Sequence, residues 1–404
     1  MNRFVKTALA IAVAGSAAQA GTGDNDWAAL DSEISGLASS LKPSQDGMGW
    51  AVLLRAVYSH SNDDIFSGGS NQPDLSGFTF NDIDLAFWGS QGTYSWRVSG
   101  DLDTNNFGGS SFDLEDAYVR WNCGGYFDAT MGNFKPRLSH SNSVDPGNML
   151  FIDRSILGSA GDSWDNGVGV SGAYEQFKWY GGILNGNNGS TQDHFYYVRG
   201  EFDLGTGAGM YEGAMGSSET LNGTVGLSLI ANDTFAFGGQ SNGDFDGDDD
   251  TDNTAWLLDF HGSMSNFGFG AEVAGFDDDF AAATDEDYSN LSDSGPFPGL
   301  GVAVPALLLV PDSMPFSVYG SYLINPEWEV GVRYEDLDNS DFPGSGVGGG
   351  GDDGPDNTVL SIGASWYRGT NAGKWQIQYS MIDADSAFND GDLLEVGYSI
   401  GTSR

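Results

Sequence analysis

Residues 327–334 read EWEVGVRY, and this stretch decides the fold class of the chain. Its even positions are the apolar residues Trp328, Val330, Val332 and Tyr334, and its odd positions hold Glu, Gly or Arg. A period of two places successive side chains on opposite faces of a β-strand. The stretch therefore predicts a strand with one apolar face and one polar face.

The same alternation recurs along most of the chain. It is clear in YSWRVSGDL at 94–102, DAYVRW at 116–121, KWQIQYSM at 374–381 and LEVGYSI at 394–400. We count 17 candidate strands and expect an even total near 16. They begin near residues 50, 78, 93, 112, 126, 166, 177, 194, 222, 234, 253, 267, 315, 328, 356, 374 and 391.

The connections between these strands alternate in length. Polar, Gly/Asp-rich inserts at 103–111, 242–252, 277–299 and 338–357 contrast with short links such as Ser265-Asn266. This rhythm, with Trp and Tyr near many strand ends, is typical of a barrel in an outer membrane. The sequence thus predicts an all-β fold, a transmembrane antiparallel β-barrel of about 16 strands. A soluble antiparallel protein with the same alternation is the alternative.

Composition excludes several function classes. The chain has 404 residues, with 15 Lys and Arg against 57 Asp and Glu, for a formal net charge of −42. A nucleic-acid partner is excluded because such binding needs a basic surface. The single cysteine, Cys123, excludes a disulfide framework and a zinc site of paired cysteines. No catalytic motif is recognisable, so we expect no enzyme activity.

The N-terminal residues predict export. Arg3 and Lys6 precede an apolar run, and Ala18-Gln-Ala20 forms a signal-peptidase site, so residues 1–20 are expected to be a signal peptide. Residues 21–45 are expected to form a short N-terminal helical or coiled segment. Its apolar residues Trp27, Leu30, Ile34, Leu37 and Leu41 follow a heptad spacing that ends before Pro43. This helix would either pack locally or form a small self-associating bundle, and residues 46–404 would form the barrel.

Two stretches resemble a known family. Residues 113–158 read DLEDAYVRWNCGGYFDATMGNFKPRLSHSNSVDPGNMLFIDRSILG, and residues 325–339 and 374–386 read NPEWEVGVRYEDLDN and KWQIQYSMIDADS. These runs are similar to the phosphate-selective porin O and P family of outer-membrane channels. The resemblance implies a signal peptide, a short N-terminal coiled segment, a 16-stranded barrel and a homotrimer.

The resemblance also implies a function and a pore constriction. The family element G-x-F-K maps onto Gly132, Phe134 and Lys135, and the segment after it enters the lumen. We therefore expect an inward-folded loop near 132–158. The implied function is passive diffusion of small hydrophilic solutes and ions, with anions such as phosphate among the candidates. No cofactor is required for this function.

The basic residues are the candidate pore-lining groups. Arg97, Arg120 and Arg333 occupy the polar faces of their strands, which a barrel turns toward its lumen. The full predicted set is Lys135, Arg137, Arg154, Arg97, Arg120, Arg55, Arg199 and Arg333. Exposed guanidinium groups in a pore would match oxyanions. The alternative is that they pair with lumenal carboxylates such as Asp84, Asp101, Asp116, Glu201 and Glu329, and so hold the wall.

An acidic insert gives a candidate calcium site and two alternative functions. Carboxylates alternate at Asp244, Asp246, Asp248, Asp250 and Asp252, as calcium loops present their oxygens. A solvated, highly charged loop is the simpler interpretation. Through such loops the protein would be a structural or adhesive outer-membrane barrel that binds divalent cations or an external layer. The other alternative is a secreted calcium-binding β protein.

Overall fold

A computed structural model describes residues 47–61, 75–103, 111–124, 126–185, 194–232, 253–276, 314–336, 357–370, 373–384 and 391–402. The compact unit that begins at Trp50 holds nearly all of them. The predicted signal peptide and the predicted helix at 21–45 lie outside the described residues. Within the described ranges, the helices are all too short or too polar to cross a membrane.

Sixteen antiparallel strands form the fold. The first eight are β1 Met48–Ser61, β2 Leu75–Gln91, β3 Tyr94–Asp103, β4 Ser111–Asn122, β5 Asp128–Phe134, β6 Asp165–Tyr174, β7 Phe177–Leu184 and β8 Phe195–Leu204. The second eight are β9 Asn222–Asn232, β10 Asn253–Met264, β11 Phe267–Phe276, β12 Phe316–Asn325, β13 Trp328–Asp336, β14 Asn357–Thr370, β15 Gly373–Ala384 and β16 Gly391–Gly401.

These strands close into one barrel. Each strand pairs with the next in sequence, and β1 pairs with β16 from Leu53 opposite Gly401 to Ser61 opposite Leu393. Sixteen of the 17 predicted strand starts lie within three residues of an observed one. The remaining start, near residue 234, lies outside the described residues.

The polar face of each strand points inward and the apolar face points outward. On β13, Glu329 and Arg333 have 0% and 3% of their surface exposed, whereas Val330 and Val332 are 39% and 46% exposed. A soluble protein would bury the valines and expose the charges. The barrel therefore offers an apolar band to its surroundings and keeps its charges inside, as a lipid-embedded barrel requires.

One β-bulge breaks the alternation of β4. The register between β3 and β4 shifts between Val98 and Gly100, so that Glu115 and Asp116 both lie opposite Ser99. The Ser99 hydroxyl is 3.1 Å from a carboxylate oxygen of each. Two residues facing one is the definition of a bulge. As a result, two consecutive carboxylates point toward the lumen.

The connection between β5 and β6 folds into the barrel. We call residues 135–164 the inner segment; it contains α1 (His140–Ser143), a 3₁₀ turn (Pro146–Asn148) and α2 (Ile156–Ala160). Gly132 has φ +132°, and a Cβ there would lie 2.2 Å from the carbonyl oxygen of Ala117. The family-like glycine thus allows β5 to run tight against β4 just before the chain turns inward. Leu138 and Leu157 of the inner segment join an apolar cluster with residues of β7–β11.

Candidate functional site

The inner segment fills one side of the lumen and leaves the other side open. The backbone of the inner segment is in contact with inward-pointing side chains of β1 and of strands between β8 and β15, as described below. A cavity of about 670 Å³ remains along the inner faces of β2–β8. We call this cavity the open half of the lumen. A hydrated solute could enter this cavity.

Carboxylates dominate the wall of the open half. Eight acidic and five basic residues line it, an excess of three negative charges. Six of the acids lie on the adjacent strands β2–β4: Asp82, Asp84, Asp101, Asp113, Glu115 and Asp116. The bulge brings the last two to the same face. Alternation alone would have turned one of them outward.

The basic groups of the open half are held by neighbouring acids. Arg97 Nε is 2.6 Å from Asp116 Oδ2, and Lys135 Nζ forms an ion pair with Asp162. Arg137 Nε donates to Glu201 Oε1 at 2.6 Å. The alternative prediction of paired lumenal bases therefore matches the geometry of these side chains better than a free ladder does.

Arg120 differs from the other bases of the cavity. Its Nε donates to Thr130 Oγ1 at 3.3 Å, and its Cζ lies 5.4 Å from the centroid of the Tyr118 ring. Within the described residues, no carboxylate lies within 4 Å of its guanidinium nitrogens. Arg120 is thus the described cavity cation with the most freedom to meet a passing anion.

Three of the predicted pore-lining arginines do not line the cavity. Arg55, Arg199 and Arg333 are only 5%, 1% and 3% exposed. Arg199 Nη1 donates to the carbonyl oxygen of Leu138 at 2.8 Å, and Arg333 Nη1 donates to that of Asp153 at 2.8 Å. Arg55 donates to the carbonyl of Ile152. These side chains point inward as predicted, but the inner segment covers them, and they anchor its backbone.

Arg154 is one of the five basic residues that line the cavity, yet most of its surface is covered. It lies at the edge of the cavity but is only 6% exposed, and it donates to the carbonyl oxygen of Val144 at 2.8 Å and to Asp162 Oδ2 at 3.0 Å. Burial raises the pKa of Asp162, but Arg154 and Lys135 outweigh burial and bring the pKa below its ordinary value. This ion-paired cluster ties the two ends of the inner segment together.

A pair of histidines joins the inner segment to the barrel wall. His140 stacks on His261 of β10 with ring centroids 4.2 Å apart, and His261 Nε2 is 3.1 Å from Glu272 Oε1. The same carboxylate oxygen accepts from the backbone N–H of Ser141 at 3.1 Å. Burial and the neighbouring His261 lower the pKa of His140 well below its ordinary value, so His140 is neutral at pH 7.

A second inward-folded connection was missed by the sequence reasoning. Residues 205–221, between β8 and β9, enter the barrel from the end opposite to the inner segment, and Glu212 is 4% exposed. The available signal was the gap of 17 residues between β8 and β9, at the end where the other links have two to five. We call this connection the opposing turn.

The candidate calcium ligands Asp244, Asp246, Asp248, Asp250 and Asp252 lie outside the described residues. Among the residues that are described, no group of three or more His, Cys, Asp or Glu side chains is arranged to hold a metal ion. The calcium interpretation of residues 244–252 stays a prediction.

Solved structures of outer-membrane proteins share the fold. A loop-deletion mutant of OmpT from Vibrio cholerae is 11% identical, with a TM-score of 0.53, over 88% of this chain and 100% of that one. The outer-membrane channel DcaP of Acinetobacter baumannii is 10% identical, with a TM-score of 0.51, over 88% and 97%. No curated protein sequence matches the chain.

The sequence itself identifies the family. Residues 59–291, more than half of the chain, match the family described as phosphate-selective porin O and P. The match agrees with the inward charges, the outward apolar band and the inward-folded loop after β5. The family match and the outward apolar band together overturn the alternative of a secreted calcium-binding protein, because a soluble protein would not turn its apolar faces outward. The chain belongs to the phosphate-selective porin O and P family and is an outer-membrane porin.

Proposed function

We propose that small hydrophilic solutes and ions diffuse passively through the open half of the lumen. The observation that carries the proposal is the division of the lumen. The inner segment is buried against one side of the wall, while β2–β8 border a polar cavity of about 670 Å³. Water-filled barrels conduct by such routes, and loops that fold inward set their width.

The charge of the cavity bears on which ions pass. The excess of three carboxylates in the lining favours cations. Arg120, Lys135 and Arg137 form a local basic zone beside these acids. We propose a moderate cation preference that is largest at low salt, where screening is weakest. Despite the family name, we expect inorganic phosphate to permeate no better than chloride, since a multiply charged anion is repelled most by the acidic wall.

Planar-bilayer recording in a salt gradient tests this proposal. The purified protein should give stepwise conductance, and the reversal potential should show cation preference near ~0.01 M salt that weakens near ~1 M, as the Debye length falls from ~30 to ~3 Å. No conductance above the lipid background would refute the channel. Anion preference at low salt would refute the charge argument while leaving the channel intact.

The assembly is a further part of the proposal. We propose a homotrimer in which residues 21–45 form a small helical bundle. The heptad spacing from Trp27 to Leu41 supports the bundle. Removal of residues 21–43 should leave a folded barrel that dissociates more readily during native electrophoresis. If the truncated protein keeps the stability of the full-length oligomer, the bundle role is wrong.

A calcium role for the acidic insert is the second candidate function. It rests on the alternation of carboxylates from Asp244 to Asp252 and would make the barrel a site for attaching an external layer. Isothermal titration with CaCl₂ should detect binding that is lost when these five residues are replaced by Asn. Equal heats from both proteins would remove this candidate.

A further inference from the structure

The opposing turn is unusual for the end of the barrel at which it starts. The links after β2, β6, β10 and β12 at that end have two residues each, whereas residues 205–221 form a connection of 17. Short links suffice to join adjacent antiparallel strands. The extra residues of the opposing turn are therefore not needed for strand pairing. They extend into the lumen instead.

Inside the barrel, the opposing turn meets the inner segment. The backbone N–H of Glu212 donates to the carbonyl oxygen of Asn148 at 3.0 Å. In return, the backbone N–H of Leu150 donates to Glu212 Oε2 at 3.1 Å. His140 Nε2 is 3.3 Å from the carbonyl oxygen of Tyr211. Two connections from opposite ends of the barrel are thus hydrogen-bonded to each other around Glu212.

The barrel wall fixes the opposing turn in place. The backbone N–H of Ala214 donates to Glu329 Oε1 at 2.5 Å, and Tyr367 Oη donates to Glu329 Oε2 at 2.8 Å. Gly213 has φ +92°, and a Cβ at Gly268 of β11 would lie 2.3 Å from the backbone of Gly213. Only glycine permits this conformation and this approach. The opposing turn therefore gives Glu212 a rigid position on the wall.

The wall also holds the other side of the inner segment at the same point. Gln376 Nε2 and Ser365 Oγ donate to the carbonyl oxygen of Leu150 at 2.8 and 3.0 Å. Leu150 is thus bound through its N–H by Glu212 and through its carbonyl by β14 and β15. Asp145 and Pro146, a few residues earlier, line the open half. The clamp on Leu150 therefore acts four residues after Pro146 in the same stretch of chain.

Burial of the Glu212 side chain at this position is unfavourable in free energy unless other contacts compensate it. The side chain is 4% exposed, and in the described part of the chain no Lys, Arg or His lies within ion-pair distance of it. A buried carboxylate costs free energy unless hydrogen bonds compensate it. The bond from Leu150 is such a compensation, and a bond to a charged acceptor is stronger than one between neutral groups.

We infer that Glu212 is a positioning residue of the channel, which locks residues 148–150 of the inner segment from the opposite end of the barrel and so fixes the width of the open half. The inference rests on the proposed diffusion route. Without the lock, residues 148–150 would alternate between docked and undocked positions while the arginine anchors hold the rest of the inner segment. The undocked position would change the cross-section beside Asp145 and Pro146. The channel would then fluctuate in conductance.

Single-channel recording of Glu212→Ala, Glu212→Gln and Glu219→Ala tests the lock. Glu219 is an exposed acid of the same turn and serves as the matched control. Loss of a bond to a charged group should raise the undocked fraction by roughly tenfold. We expect Glu212→Ala to show frequent steps between conductance levels. Glu212→Gln keeps an oxygen acceptor for Leu150 and should restore steady current, and Glu219→Ala should match the parent protein.

A covalent replacement of the lock keeps the inference testable if Glu212→Ala assembles poorly. Asn148→Cys with Glu212→Cys, in a Cys123→Ser background, places two thiols on residues whose backbones are already hydrogen-bonded. Oxidised channels should conduct steadily, and reduced channels should fluctuate. Steady current from Glu212→Ala, or from the reduced double variant, would overturn the inference. Absence of current from the parent protein would instead refute the proposed function.

Discussion

Arg137 and Glu201 link the open half of the lumen to its buried anchor. Arg137 Nε donates to Glu201 Oε1 at 2.6 Å, and the same oxygen accepts from Arg199 Nε at 2.8 Å. Arg137 is partly exposed to the cavity, whereas the side chain of Arg199 is fully buried. The Glu201 carboxylate therefore accepts hydrogen bonds from two arginines with different roles. Arg137 is accessible to ions in the cavity, and Arg199 anchors the inner segment. Neutralising these two arginines should therefore have different effects.

Replacing Lys135 and Arg137 together with Gln should increase the cation preference of the channel. The substitutions reduce the basic residues of the cavity lining from five to three and leave its eight acids in place. The reversal potential in a salt gradient measures the effect, which should be largest at low salt. Lys178→Gln is the control, because Lys178 pairs with Asp203 and neither side chain belongs to the cavity lining. A double variant with the reversal potential of the parent protein would exclude these residues from the ion path.

Replacing Arg199 with Met should destabilise the barrel. Arg199 Nη1 is 2.6 Å from Asp259 Oδ2, and both side chains are almost fully buried. Removal of one partner leaves buried carboxylates without compensation, which costs about 3–5 kcal/mol. Unfolding in urea, followed by the heat-modifiable mobility of the barrel, measures this loss. The exposed Arg368→Met should change stability by less than ~0.5 kcal/mol. Equal effects of the two substitutions would contradict the anchor role of Arg199.

Acid should loosen the inner segment only at low pH. The folded-state pKa of Asp162 lies below its ordinary value of 3.8, because Arg154 and Lys135 outweigh the effect of burial. A carboxyl with a lowered pKa contributes its full stabilisation above the ordinary value and loses it as the pH falls through the lowered one. We expect steady single-channel current from pH ~7 to ~4.5 and fluctuation below about 3.8. Asp162→Asn should fluctuate already at neutral pH; if it conducts steadily, the ion pairs do not hold the segment.

Local pattern predicted the strands but not what fills the barrel. The alternation in Trp328–Tyr334 is set by each strand alone, because one face meets lipid and the other meets the lumen. The bulge at Ser99 reverses that alternation from Asp116 onward. The sequence carries a trace of it, because the apolar residues Phe112 and Leu114 occupy even positions whereas Val119 and Trp121 occupy odd ones. The anchoring of Arg55, Arg199 and Arg333 depends on which strands the inner segment crosses. Such contacts between distant parts of the chain are fixed only once the barrel has closed.

The route of permeation is the central claim, and cysteine accessibility measures it most directly. Ser171 of β6 lines the open half, and Ser361 of β14 faces the filled side, where it is 1% exposed. Each is replaced with Cys in a Cys123→Ser background, and a positively charged thiol reagent is added during bilayer recording. We predict that the reagent lowers the current of Ser171→Cys and reduces its cation preference, while Ser361→Cys is unaffected. Modification that blocks Ser361→Cys and spares Ser171→Cys would contradict the account.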